Sequence, residues 1–342
     1  MLWVDDILVR ATEAKTKRFY ARMRKRFDVK NPEYLTEKSP LSFLGFDIKE
    51  GEVKGKKVIT MDQNTAINRF LDDWSVEYTK GVKCPMPSGK AMWQDGRRLS
   101  EADKAKYQQL VGGLNYFAMT TRYDIAHATS RLSQMAANPT QGAAKALKRV
   151  LRYLRANDKL VLEGEVTNKN ELECYSDSDH AGERPQCTHS QTGAMITLNG
   201  VPVQWASRKQ TATTATSSAL AEIYALSETA RMSQLTAWKI EELGASLPYP
   251  LVIQVDNSQA ISFQRSTCLV SKLRGLVDLR WAWVCELRNT NKVSVIKVNT
   301  KYNKADVLTK CMPAYKFRMC MRTLQGDQES RVVANLVQVL SS

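Results

Sequence analysis

The sequence predicts a mixed α/β (α+β) protein built around more than one core. Three observations carry that prediction. The chain has 342 residues, enough for two or three domains. Apolar residues at helical spacing dominate residues 107–155. Beyond residue 171, short β-branched runs alternate with one long helical stretch.

Taken in order, Leu2-Trp3-Val4, Asp5-Asp6 and Ile7-Leu8-Val9 read as a hairpin with an acidic tip. Residues 11–27 turn helical, with Phe19, Met23 and Phe27 on one stripe and seven basic residues around it. Residues 41–48 alternate as a strand, and 57–61 can pair with it across a turn between Gly51 and Gly55. Helices follow at 107–119, 126–137 and 142–155. The polar stretch 157–170 breaks the pattern and is the expected boundary. Beyond it come strands at 172–176, 194–198 and 203–206, a helix at 217–243 ended by Gly244, and strands at 251–255 and 293–298. The expected units are 1–80, 81–157, 171–310 and a helical tail at 311–342, to which no purpose attaches.

Composition narrows the partners. Fifty Lys and Arg against 35 Asp and Glu leave a net charge of +15, a surplus that attracts polyanions. The competing reading, a solubilising surface, explains scattered charge better than clusters. Seven cysteines without Cys-x-x-Cys spacing, beside three histidines, argue against a disulfide framework or a zinc site. They fit free thiols in a reducing compartment. Asp5 and Asp6 interrupt what a signal peptide would require, and no apolar run approaches the roughly 18–20 residues that span a bilayer. The expectation is an intracellular chain, cytoplasmic or nuclear, that makes no use of a membrane.

Four acids stand in distinctive settings: Asp177 in Tyr-Ser-Asp-Ser-Asp-His-Ala-Gly, Glu222 in Ser-Ser-Ala-Leu-Ala-Glu, Asp256 in Gln-Val-Asp-Asn, and Asp306 in Asn-Lys-Ala-Asp-Val-Leu-Thr-Lys. Asp177 and Asp256 end strands, where open sheets present functional groups. Any one acid alone reads most simply as a surface residue; the set in this order points to one site. Such a cluster needs cations. Mg²⁺ (or Mn²⁺) bound by oxygen ligands, in a pair roughly 3.5–4 Å apart, suits phosphodiester cleavage.

Residues 175–182, Ser207-Arg208-Lys209-Gln210, 217–223, Asp256-Asn257 with Ala260-Ile261, and 304–310 together resemble the ribonuclease H domain of copia-type LTR retrotransposon Pol polyproteins. Three features depart from that pattern: His180 stands where the family has Trp, Leu220 stands where it has Glu, and residues 274–280 lack a His. The resemblance continues upstream. Val4-Asp5-Asp6 is similar to the reverse-transcriptase Tyr-Val-Asp-Asp box, and Phe43-Leu44-Gly45, 110–116 and 121–126 resemble the palm, thumb and connection that follow it.

The resemblance implies a truncated reverse-transcriptase palm with a helical thumb, then a ribonuclease H-like mixed sheet flanked by helices. It implies Asp177, Glu222, Asp256 and Asp306 as catalytic metal ligands, and Asp5 and Asp6 as part of a second metal site. An upstream Asp and the fingers are missing from these residues, so polymerase activity is not expected of this segment alone; an upstream polymerase segment is a candidate partner. Lys145, Lys148, Arg149 and Arg152, with Arg208 and Lys209, are the candidates to hold an RNA·DNA hybrid through its phosphates. The main reading is a metal-dependent endonuclease that cuts the RNA strand of hybrids. The alternative is an inactive nucleic-acid-binding remnant. An integrase or resolvase is a weaker third reading, because those lack the upstream segments.

Overall fold

The computed structural model describes residues 2–3, 6–77, 82–87, 95–157, 160–167, 169–180, 182, 189–210, 215, 217–258, 261–262 and 279–325. The chain opens with a two-stranded antiparallel hairpin, β1 (Leu2–Trp3) and β2 (Asp6–Ile7). Helix α1 (Glu13–Arg24) follows and buries none of its residues; Phe19 remains 41% exposed. An antiparallel sheet comes next in the order β3 (Leu41–Phe43), β4 (Phe46–Val53), β5 (Lys56–Asp62) and β6 (Leu162–Glu165). The single strand expected at 41–48 is two strands. Leu44 and Gly45 both adopt positive φ (53° and 79°), the backbone of a two-residue hairpin turn, so the chain reverses where the apolar alternation suggested it ran straight. The polar stretch after residue 157 holds β6, which returns to pair with β5.

Four helices build the middle of the chain: α2 (Asn64–Asp73), α3 (Glu101–Thr120), α4 (Ala126–Gln134) and α5 (Gln141–Ala156). Helix α3 begins six residues before its apolar spacing does, because Ser100 caps it: the Ser100 hydroxyl accepts from the Asp103 N–H (3.2 Å) and donates to the Asp103 carboxylate (2.7 Å). Gly113 lets α2 lie close, since a Cβ there would meet the Phe70 ring at 2.4 Å. Between α3 and α4 a 3₁₀ turn, Tyr123–Ile125, carries a fully buried ion pair. Arg122 donates twice to Asp124 (2.9 and 2.8 Å), and the Tyr153 hydroxyl of α5 donates to the same carboxylate (2.8 Å).

The second sheet is mixed, in the order β11-β10-β7-β8-β9: β7 (Leu172–Asp179), β8 (Gln191–Leu198), β9 (Val201–Lys209), β10 (Leu251–Val255) and β11 (Val293–Lys297). Strands β7, β8 and β9 run antiparallel in sequence, while β10 lies parallel to β7 and β11 parallel to β10. Helix α6 (Ser218–Glu242) crosses one face, and α7 (Leu279–Asn289), a helix with no counterpart in the sequence reading, packs beside it.

Alternation along β7 divides the core. Leu172 and Cys174 join Leu226, Ala230 and Ile253 beneath α6. Tyr175, with Met195 of β8, points to the other face and packs with residues of α3, α4 and α5 and of a last helix, α8 (Ala314–Gln325). The central strands are therefore buried on both sides, as their near-continuous apolar composition requires. Among the described residues, no helix is long and apolar enough to cross a membrane.

Asp124→Ala is expected to lose about 3–5 kcal/mol of unfolding free energy by stranding the buried guanidinium, and pairing it with Arg122→Met to recover most of that loss. Urea midpoints of the two variants check this.

Candidate metal centre

The site follows from register. Val255 of β10 pairs with Ser176 of β7 in parallel, so the next residue of each strand, Asp256 and Asp177, emerges at the same sheet end. Asp306 arrives on a 3₁₀ turn, Lys304–Leu308, laid across β7 and β8. Asn303 fastens that turn: its amide donates to the Ser176 carbonyl (3.0 Å) and its side-chain oxygen accepts from the Ala305 N–H (3.1 Å). Thr309 closes the turn by donating its hydroxyl to the Asp177 carboxylate. Gly193, opposite Asp177 on β8, makes the close approach possible. A Cβ there would meet the Thr309 methyl at 2.5 Å and the Ala305 carbonyl at 2.9 Å.

One carboxylate oxygen from each of Asp177, Asp256 and Asp306 lies within 4.8 Å of the others. Asp177 and Asp306 are 2% and 1% exposed, while Asp256 is half-buried. Glu222 comes from the second turn of α6, whose start is capped by Ser217, and is 7% exposed. Burial and the neighbouring carboxylates, Asp306 and Asp256, push the Asp177 carboxyl up to about 7, against the pull of Lys310. Burial and the Asp177 charge push Glu222 up to about 8.

Two ammonium groups answer this charge. Lys310 lies 2.8 Å from one Asp306 oxygen and 3.6 Å from Asp177; Lys316 of α8 lies 3.2 Å from the other Asp306 oxygen. Burial alone would lower the Lys310 pKa, but Asp177 and Asp306 raise it. The donor set is oxygen throughout, which suits Mg²⁺ or Mn²⁺ rather than softer metals. The buried Glu222 Oε2, which has no hydrogen-bond partner among the described residues, fits the need for a further cation.

Of the other candidates, Asp5 lies outside the described residues and Asp6 is exposed on β2. Lys145, Lys148 and Arg152 share the exposed face of α5. Lys145 pairs with Asp95 (3.3 Å), and half-buried Arg149 reaches the Cys84 sulfur (3.5 Å). Arg208 is exposed and pairs with Glu228 (3.0 Å). Lys209 and Asp179 line a water-sized cavity of about 10 Å³ with His127, Arg131 and Thr309. Asn303, Thr309 and Lys310 fall inside or beside the motif around Asp306 and were within reach of the sequence. Gly193 and Lys316 carried no local signal, since each acts only across a tertiary contact.

No protein-family model matches the chain. It is 29% identical over 331 residues to the retrovirus-related Pol polyprotein from transposon TNT 1-94 of Nicotiana tabacum, covering 94% of this chain and 24% of that protein. It is 30% identical over 323 residues to the Pol polyprotein from transposon RE1 of Arabidopsis thaliana, covering 93% and 21%. The chain belongs to the Pol polyproteins of copia-type retrotransposons. It spans less than a quarter of the length of these two relatives. A shorter likeness, 42% over 122 residues, relates 36% of this Pol chain to 84% of secreted RxLR effector protein 161 of Plasmopara viticola.

Two solved structures overlap it in part. A compost-derived RNase H1, LC11, has 16% identity and a TM-score of 0.32, covering 41% of this chain and 94% of that one. The foamy viral protease-reverse transcriptase, solved with an RNA/DNA hybrid, has 12% identity and a TM-score of 0.44, covering 76% and 29%.

Two outcomes are expected. Gly193→Ala, by forcing the 304–308 turn off β8, should cost about 1–3 kcal/mol, read from its thermal midpoint in chelator. Burial, with the Arg131 charge adding to it, lowers the His127 pKa to about 3. The unfolded chain therefore takes up that proton first as pH falls. The resulting loss of stability is absent above about pH 6.5 and grows toward pH 3 by up to about 1.4 kcal/mol per unit. His127→Gln should flatten that part of the wild-type stability profile.

Proposed function

We propose that this segment carries the ribonuclease H part of a copia-type Pol polyprotein behind the end of its reverse transcriptase, cleaving the RNA strand of RNA·DNA hybrids with Mg²⁺ or Mn²⁺. One observation carries the reading: carboxylates from β7, the end of β10 and the 304–308 turn, two of them buried, converge at one sheet end, with buried Glu222 of α6 near enough to feel the Asp177 charge. In this reading Asp177 and Asp256 anchor the metal, and Asp306 and Glu222 complete its ligands. Bound there, the cation supplies charge to activate water and to steady the leaving 3′-oxygen. The chain's own residues do the rest. Thr309 fixes the Asp177 carboxylate, Asn303 fixes the turn that presents Asp306, and Lys145, Lys148 and Arg152 offer one basic face to phosphates.

The same reading assigns residues 1–80, with Asp5 and Asp6, to the reverse-transcriptase palm, and 81–157 to the thumb and connection. Residues 171–310 are then the nuclease and 311–342 its C-terminal extension. No polymerase role is proposed for this segment by itself.

A labelled RNA·DNA hybrid incubated in Mg²⁺ and in Mn²⁺ tests the proposal. Wild type should cut the RNA strand and leave an RNA·RNA duplex intact. Asp177→Asn should lose at least about 10²–10³-fold in rate, the scale of removing one preorganised electrostatic contact. Hybrid binding without cleavage in either metal would instead favour the inactive remnant.

A further inference from the structure

The motif around Asp306 accounts for one of its two cations. Lys310 follows Asp306 by four residues, so local chain geometry brings the two together. Lys316 has no such reason to be there. It stands on α8, past the motif, and reaches Asp306 only because α8 is docked.

That docking is firm. The neighbouring Phe317 is 5% exposed and meets the Tyr153 ring of α5 edge-on, with centroids 5.9 Å apart. Cys320, Met321 and Leu324, spaced along the same face, are buried in the core shared with α3, α4 and α5. The Lys316 side chain is 32% exposed, so its charge is partly screened, yet its ammonium lies at ion-pair distance from a carboxylate that is 1% exposed. With Lys310 on one oxygen and Lys316 on the other, Asp306 has an ammonium against each. A divalent ion that takes Asp306 as a ligand meets a positive charge already in place, and like charges a few ångströms apart repel.

We propose that Lys316 is an internal counter-ion of the acidic cluster: it holds Asp306 in the metal-free protein and weakens the cluster's grip on a divalent cation. The inference rests on the metal-centre reading above. It gives α8 a task, namely to set the metal affinity of a site built on the sheet from a position anchored against α5.

Mn²⁺ binding to the whole chain, followed through the electron paramagnetic resonance signal of the free ion, tests this together with thermal melting in chelator. Lys316→Met should bind Mn²⁺ about tenfold or more tighter than wild type. It should melt lower in chelator and gain more on Mn²⁺ saturation. Lys316→Arg, which keeps the charge, should stay near wild type in both measurements. Should the Met variant fail to fold in chelator, refolding on addition of Mn²⁺ would support the proposal. Failure to fold with Mn²⁺ present would overturn it, leaving Lys316 a purely structural contact. Unchanged or weaker Mn²⁺ affinity in Lys316→Met, beside normal binding by wild type, would overturn this inference alone. No Mn²⁺ binding by wild type would overturn the metal-centre reading and this inference with it.

Discussion

Carboxylates buried beside one another repel, and the second half of this protein is organised around that repulsion. Asp177 and Asp306 are almost wholly withdrawn from water, with Asp256 and Glu222 close enough for their charges to be felt. Burial and mutual repulsion raise the pKa values of Asp177 and Glu222, which favours their protonated forms. Part of the answer is compensation by Lys310 and Lys316. The rest is geometry that holds the acids together regardless: the parallel pairing of β10 with β7, the Asn303 bonds, the Thr309 hydroxyl and the missing side chain at Gly193. Structure of this kind, rigid around groups that repel, is what a cation-dependent site requires.

The site also depends on the first half of the chain. Because Leu172 and Cys174 of β7 lie beneath α6 while Tyr175 joins the core that α3, α4, α5 and α8 share, the strand that presents Asp177 depends in part on the upstream helices. Polar contacts run across the same boundary. The Trp205 indole of β9 donates to the Ala118 carbonyl of α3 (2.6 Å), and Gln191 of β8 donates to Ser130 of α4 (3.1 Å). The Arg122–Asp124–Tyr153 cluster continues through Phe317 into α8, and so to Lys316. A sheet arranged this way is not independent of the helices that approach it from upstream.

Much of this was legible in the residues. Strong β-branched runs gave strands at 251–255 and 293–298 to within a residue, because a strand buried on both faces has little freedom in composition. The long helix of α6 and the helix of α5 were likewise readable from spacing and caps. The four acids stood out through the motifs around them. Misreadings fell where local pattern and chain direction part company. Leu44-Gly45 reverses the chain inside an unbroken apolar alternation, and α7, a short helix with Val284 and Leu287 buried, was not read as one.

What the sequence determined by itself was composition-driven: which segments are apolar on one face, which residue types carry negative charge in distinctive settings, and a positive surplus suited to a polyanionic partner. What only the tertiary structure decided was proximity. Asp177, Asp256 and Asp306 are separated by 79 and 50 residues in sequence, and strand register, not spacing, brings their oxygens within 4.8 Å. The same holds for Gly193 and for Lys316. A glycine chosen for a close approach, or a lysine for a distant carboxylate, looks like any other until the chain folds, because their partners are fixed by packing rather than by neighbours in the chain.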